Sequence, residues 1–341
     1  MLNTVYRLVE PRRIESEFSD IDVNGDSVLV RPTHLSICNA DQRYFQGTRP
    51  PEVLKKKLPM ALIHEAIGEV IYDPAGDFES GQKVVMVPNT PMEEDDIVAE
   101  NYLRSSKFRA SGFDGFMQDI VVMRRDRVVA VPDGIDDYVA AFTELVSVSY
   151  HAIDRFDRKA HGRRNVLGVW GDGNLAFITS LLLKKRFPES KVYIFGKHEY
   201  KMDDFVFADE TFFIDAIPED LRIDHGFECV GKAGSGTSIN QIIDYINPEG
   251  CIAALGVSED PVPINTRMIL EKGLTLYGSS RSSADDFRHL LQFYKEHPEV
   301  VDYLSSIIGE IVEVRTIKDM THAFDADIQK HGGKTVMVWK K

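Results

Sequence analysis

A chain of 341 residues, 43% hydrophobic and with a formal net charge of -14, is too long for one comfortable core and suits two domains. The acidic balance excludes nucleic acid as a general partner, because a phosphate backbone demands a basic surface, but it leaves room for a small phosphorylated ligand held by a local Lys or Arg cluster. No apolar run approaches the roughly 18 residues that cross a bilayer, and Cys38, Cys229 and Cys251 are too few and too scattered for a disulfide framework.

The opening MLNTVYRLVEPRRIESEF scatters charge and has no apolar segment before a cleavage site, so the expected compartment is the cytosol, without membrane contact. VNGDSVLVRPTHLSIC alternates and is rich in Val after a polar turn. HEAIGEVIYDPAGDFESGQKVVMVP reads as two strands around a Gly/Pro/Asp turn, and DGFMQDIVVMRRDRVVAVPDGI adds two more. With no helix-period stretch between them, this part predicts a β-rich domain. Near residue 145 the pattern changes. VAAFTELVSVSYHAIDRF predicts a helix, and RRNVLGVWGDGNLAFITSLLLKKRFPESKVYIFG predicts strand, glycine turn, apolar helix, loop and strand. HGFECVG, GCIAALGV and LTLYGSS predict further strands, with SINQIIDYI as a helix among them. Strands alternating with helices are the signature of a parallel, doubly wound α/β sheet. SADDFRHLLQFYKEHPEV and IKDMTHAFDADIQKH read as helices, and GGKTVMVWKK closes with a strand.

Gly171-Asp172-Gly173-Asn174-Leu175-Ala176 fits G-x-G-x-x-G/A between the strand NVLGVW and a helix start. The first glycine permits a tight turn, the second opens the backbone to a pyrophosphate, and Ala176 lets helix and strand pack closely. An ordinary strand-to-helix turn is the plainer alternative, but the context favours a dinucleotide. The second strand, KVYIFG, should end at the adenosine ribose, where NAD sites usually place Asp or Glu. Here stand Gly196, Lys197 and His198. The missing carboxylate relieves repulsion against a 2′-phosphate, and Lys197 can pair with it, which favours NADP(H). The alternative leaves Lys197 in solvent and gives the ribose to Glu199. Strand ends line the ligand crevice of such a sheet, so Val230, Gly256 and Ser279 join Gly171, Gly173, Asn174, Leu175, Lys197 and His198 as cofactor candidates.

Cys38 opens Cys38-Asn39-Ala40-Asp41 after a strand; Ile63-His64-Glu65 follows, then Phe142-Thr143-Glu144-Leu145 at a helix start. Singly these are a small core thiol, polar surface, and a carboxylate placed well against a helix dipole. Together they offer one thiolate, one imidazole and two carboxylates, a mixed set that suits zinc with a position left open.

The order Cys-x-x-Asp, His-Glu before an A-x-G-E-V run, and a glutamate ahead of the glycine fingerprint resembles the zinc-dependent medium-chain dehydrogenase/reductases over essentially the whole chain. SICNADQRYFQG, FGKHEYK and ECVGKAGS are most similar to the ribulose-5-phosphate reductases (ribitol-5-phosphate dehydrogenases) of teichoic acid synthesis. The resemblance implies a GroES-like catalytic domain over 1–144 and 283–341, and a Rossmann domain over 145–282. It also implies a zinc set of Cys38, His64, Glu65 and Glu144, with the two glutamates open to exchange with water. The four-cysteine structural zinc common in the family is not expected, because NTPMEEDDIVAENYLRSSKFRASGFDG holds no cysteine. The family's Ser or Thr two positions after the cysteine is Ala40 here, so the proton relay must be rerouted, through water and Glu144 or through Tyr44.

What the resemblance then implies is zinc- and NADPH-dependent reduction of a ketose phosphate in the cleft between the two domains. A substrate phosphate needs cations, and Arg43, Arg49, Lys55, Lys56, Lys57 and Arg281 are the basic groups available, with Arg43 favoured and the lysine run read more simply as solvated surface. The resemblance further implies a homodimer or homotetramer, with a cytidylyltransferase as pathway partner. The alternatives are a polyol dehydrogenase acting on an unphosphorylated sugar alcohol, and a non-catalytic NADP-binding relative.

Overall fold

A computed structural model describes all residues, 1–341. The chain forms two compact units, Met1–Ser147 with Ser282–Lys341, and Val148–Arg281.

The first unit is built on a sheet that runs Val128–Ala130, Lys83–Met86, Glu65–Tyr72, Ser27–Ile37, Lys334–Trp339, Ile308–Val314, with Val121–Arg124 also pairing with Ser27–Ile37. The C-terminal strand is therefore interior, not an edge. It lies antiparallel to Ser27–Ile37 with Thr335 opposite Ile37, while Ser36 lies opposite Glu65 on the other side. Three strands thus bring Cys38, Glu65 and Lys334 to one end of the sheet. Hydrophobic burial fastens the arrangement: Val28, Val30, Leu35 and Ile37 share a core with Phe45, Phe116, Phe324 and Trp339. Phe45 and Phe324 stack at 4.5 Å.

The β-rich expectation for this region omits two helices, Asn39–Phe45 and Pro51–Lys57. At seven residues each they are too short to show an apolar period, and the second buries no side chain. The single helix expected around residue 145 is two, Asp137–Ala140 and Thr143–Lys159. The expected helix after residue 283 also divides, at Pro298, which cannot continue a helix but starts Pro298–Ser305 favourably.

The second unit is a parallel six-stranded sheet in the order Glu210–Phe213, Lys191–Gly196, Val166–Trp170, His225–Glu228, Cys251–Ala254, Thr275–Gly278. This is the doubly wound α/β order whose switch point lies beside the first strand. Glu210–Phe213 escapes sequence reading because its ETFF burial pattern is mostly exposed, and an edge strand needs no apolar run.

One buried group makes this unit acid-sensitive. His225 is fully buried; its Nε2 lies 3.0 Å from the Arg163 carbonyl, and its Nδ1 accepts the Cys251 N–H at 3.1 Å. Burial, aided by His161, lowers its pKa to about 4. Unfolded chains therefore take up a proton here between the ordinary value of about 6.5 and about 4, while the native state does not. The neutral imidazole's contribution is complete above that window and fades as pH falls through it, by roughly 3 kcal/mol. Urea unfolding should lose stability from pH 7 to 4.5, and His225→Gln should flatten that slope; an unchanged slope refutes the assignment.

Candidate active site

Cys38 leaves the strand Ser27–Ile37 and caps the helix Asn39–Phe45. Its N–H donates to Asp41 Oδ2 at 3.1 Å, and Asp41 Oδ1 accepts the Ile63 N–H at 3.0 Å. The same Oδ1 lies 3.6 Å from His64 Nδ1. Fully buried Asp41 thus ties the cysteine turn to the histidine segment and faces one nitrogen of the imidazole. Ile63, directly before His64, has φ 71°. A β-branched residue in the left-handed region is strained, and such strain persists where surrounding structure holds it at a functional site.

Ligand atoms of Cys38, His64 and Glu65 lie within 4.8 Å of one another. Glu144, in the first turn of Thr143–Lys159, borders the group with Oε2 at 3.9 Å from His64 Nε2. Glu65 is fully buried; Lys334 Nζ stands 2.8 Å from its Oε2, yet neither carboxylate oxygen accepts a well-aligned hydrogen bond. A buried carboxylate with open lone pairs, a thiol and an imidazole form a donor set that fits zinc. Lys334 also donates to the Ile37 carbonyl at 2.8 Å. Burial works against the imidazolium of His64, but Asp41 and Cys38 outweigh it and raise the pKa. Burial likewise pushes the Glu144 carboxyl well up, aided by Glu65 and opposed by His64.

Tyr44 follows Asp41 by three residues on the same helix face and is buried. The Arg49 guanidinium lies 4.8 Å from its ring centre and Lys57 Nζ 6.0 Å. Two cations thus gather over the tyrosine, where sequence reading favours Arg43, which stands in the last turn of that helix. Arg281 belongs to the other unit and has φ 57°.

In the second unit Gly171 takes φ 133°, and a Cβ there would meet Ala176 Cβ and the Cys229 carbonyl at 3.2 Å. Gly173 precedes the helix Asn174–Arg186 and faces open space, which leaves that helix's N-terminal N–H groups accessible to an anion. Lys197 and His198 are exposed just past the second strand. Glu228, fully buried, accepts N–H groups from Val230 at 2.9 Å and Gly231 at 2.8 Å on Oε1, and from Gly256 at 3.1 Å on Oε2. It clamps the two strand-end turns expected to line the cofactor, and Ser279 is buried beyond a third. Cys229 and Cys251 are free and buried.

Two family models match in succession, the alcohol dehydrogenase GroES-like domain over residues 24–133 and the zinc-binding dehydrogenase over 196–296. Ribulose-5-phosphate reductase of Bacillus spizizenii is 57% identical over 340 residues, covering 100% of both chains. Ribulose-5-phosphate reductase 1 of Staphylococcus aureus is 56% identical over 339 residues, covering 99% of each. The chain belongs to the ribulose-5-phosphate reductase family. The crystal structure of S. aureus TarJ in complex with NADPH agrees at TM-score 0.90 and 51% identity over 100% of both chains. The resemblance carried by SICNADQRYFQG, FGKHEYK and ECVGKAGS is thereby borne out, as is the α/β fold of a GroES-like domain with a parallel nucleotide-type sheet. In this reductase chain two groups beside Cys38, His64 and Glu65 escape sequence reading. Asp41 is visible only as the last residue of Cys-x-x-Asp. Lys334 is visible only as one lysine of the closing strand.

Proposed function

We propose that this chain reduces D-ribulose 5-phosphate to D-ribitol 5-phosphate with NADPH and zinc, for ribitol-phosphate teichoic acid synthesis. The supporting observation is the convergence of Cys38, His64 and Glu65 within 4.8 Å in a chain aligned end to end with ribulose-5-phosphate reductases. Cys38 and His64 would be the constant ligands of the metal, with Glu65 and Glu144 exchanging with water. Bound there, zinc supplies Lewis acidity toward a carbonyl oxygen, and NADPH supplies the hydride. The protein's own part is position and field. Asp41 orients the His64 ring. Lys334 holds Glu65 in place. Burial raises the pKa of the Glu144 carboxyl, which suits it to a place in the proton relay where Ala40 offers no hydroxyl. Tyr44, buried among cations, is the second candidate in that relay.

The substrate phosphate falls to Arg43, with Arg49 and Lys57, two of the other expected basic groups, gathered around Tyr44; Arg281 remains a candidate. Charge-assisted contacts contribute about 1.5–3 kcal/mol each. Arg43→Ala and Arg49→Ala should each raise the KM for ribulose 5-phosphate roughly tenfold or more, with zinc content unchanged. A KM within twofold of wild type removes that arginine from the subsite.

NADPH consumption by zinc-loaded protein with D-ribulose 5-phosphate tests the whole assignment, with NADH and free ketoses as controls. Turnover that prefers NADPH and stops with a chelator is expected. Equal rates on fructose would favour the free-polyol alternative, and cofactor binding without turnover a non-catalytic relative. No helix is long and apolar enough to cross a membrane. We place the enzyme in the cytoplasm as a homodimer or homotetramer, upstream of a cytidylyltransferase; light scattering would show a single-chain mass if the assembly is wrong.

A further inference from the structure

The second strand of the nucleotide sheet ends at Gly196, where an acidic residue would take the ribose of NAD. That space is filled from another element. A Cβ on Gly196 would lie 3.0 Å from Asp172 Cβ and 2.7 Å from Met202 Sδ. Asp172 is the middle residue of the turn Gly171-Asp172-Gly173, and its carboxylate faces the chain just past the strand. One oxygen, Oδ2, accepts the Lys197 N–H at 2.8 Å and the His198 N–H at 3.0 Å, and it lies 2.8 Å from His198 Nδ1. The donors outweigh the cost of burial and hold the Asp172 carboxyl below its ordinary range.

A ribose-binding carboxylate needs its charge and lone pairs directed at the sugar. Here one carboxylate oxygen accepts two backbone N–H groups and faces the His198 ring nitrogen. Directed outward instead are exposed Lys197 and the far edge of the half-exposed His198 ring. With Nδ1 engaged by Asp172, Nε2 is the ring's remaining nitrogen, free to face a ligand. Lys201 lies 5.8 Å from the ring centre of Tyr200, beside His198, and offsets Glu199 in the same short helix.

We propose that Asp172 is a positioning residue that determines cofactor specificity: by fixing the Lys197–His198 backbone and the His198 ring, it presents Lys197 Nζ and His198 Nε2 to the 2′-phosphate of NADPH. The proposal rests on NADPH being the cofactor. It also accounts for an acidic residue inside a phosphate-binding turn. Its charge is offset locally, and removing it loosens the cationic face instead of merely relieving repulsion. Restraining two donors before the ligand arrives raises affinity by lowering the ordering cost on binding.

The test is a fluorescence titration of NADPH and of NADH against wild type, Asp172→Ala and Asp172→Asn, in the intact zinc-loaded protein, with thermal unfolding as a check on folding. Wild type should bind NADPH at least tenfold more tightly than NADH. Asp172→Ala should raise the NADPH Kd tenfold or more and move the NADH Kd less than threefold. Asp172→Asn, which still accepts the two backbone N–H groups, should fall between them. Equal weakening of both cofactors would make Asp172 a general support of the turn and overturn the proposal. So would an undiminished NADPH preference in both variants. A wild type indifferent to the 2′-phosphate would instead overturn the NADPH assignment, and the proposal with it.

Discussion

Cys38→Ser should remove zinc and turnover together, with kcat reduced by three orders of magnitude or more while NADPH binding stays within about twofold of wild type. The reason lies in the donor set. Cys38 supplies its one thiolate, and the serine hydroxyl stays protonated near neutrality and binds zinc weakly. Metal affinity would then depend on His64 with two carboxylates, Glu65 already shared with Lys334 and Glu144 raised in pKa by burial. The glycine turn and the Asp172 and Glu228 clamps lie in the other unit, so cofactor affinity serves as an internal control for folding. Metal analysis and NADPH titration on one preparation decide the matter. Full activity in a zinc-free Cys38→Ser protein would falsify the zinc mechanism.

Local chemistry is what sequence conveys here. The strand–turn–helix from Val166 to Arg186 is legible because apolar runs, a glycine pair and a helix start stand side by side. Cys38, His64 and Glu65 are legible only as a pattern, because three residue types with ordinary separate uses become a donor set when strand pairing brings them to one sheet end. Asp41, Lys334 and Asp172 lie beyond that reach. Each acts through a partner distant in sequence, and none is of an unusual type for its position. Lys334 reads as one cation in GGKTVMVWKK until the C-terminal strand is seen to insert between Ser27–Ile37 and Ile308–Val314. Asp172 reads as a spacer until Gly196 is seen to make room for it. The short helix Pro51–Lys57 carries no burial to betray it, yet it brings Lys57 toward Tyr44.

Lys334→Met should destabilise the metal-free protein by about 3–5 kcal/mol, the range for removing one partner of a buried ion pair. Methionine fills similar space, so the loss reports charge more than packing. Lys334 is nearly inaccessible and Glu65 wholly so, which leaves water little scope to replace the ammonium. Burial opposes the charged lysine, but Glu65 first and Cys38 next raise its pKa and favour the ammonium in the folded chain. Zinc is the other cation this carboxylate can meet. If Glu65 faces both, zinc should recover a large part of the stability lost in Lys334→Met, and more than it adds to wild type. Urea unfolding with chelator and with zinc, for both proteins, forms a double cycle whose coupling term measures the shared carboxylate. Additive effects would mean that Lys334 and the metal act on Glu65 independently. A metal-free variant within 1 kcal/mol of wild type would mean that the buried carboxylate does not depend on its lysine at all.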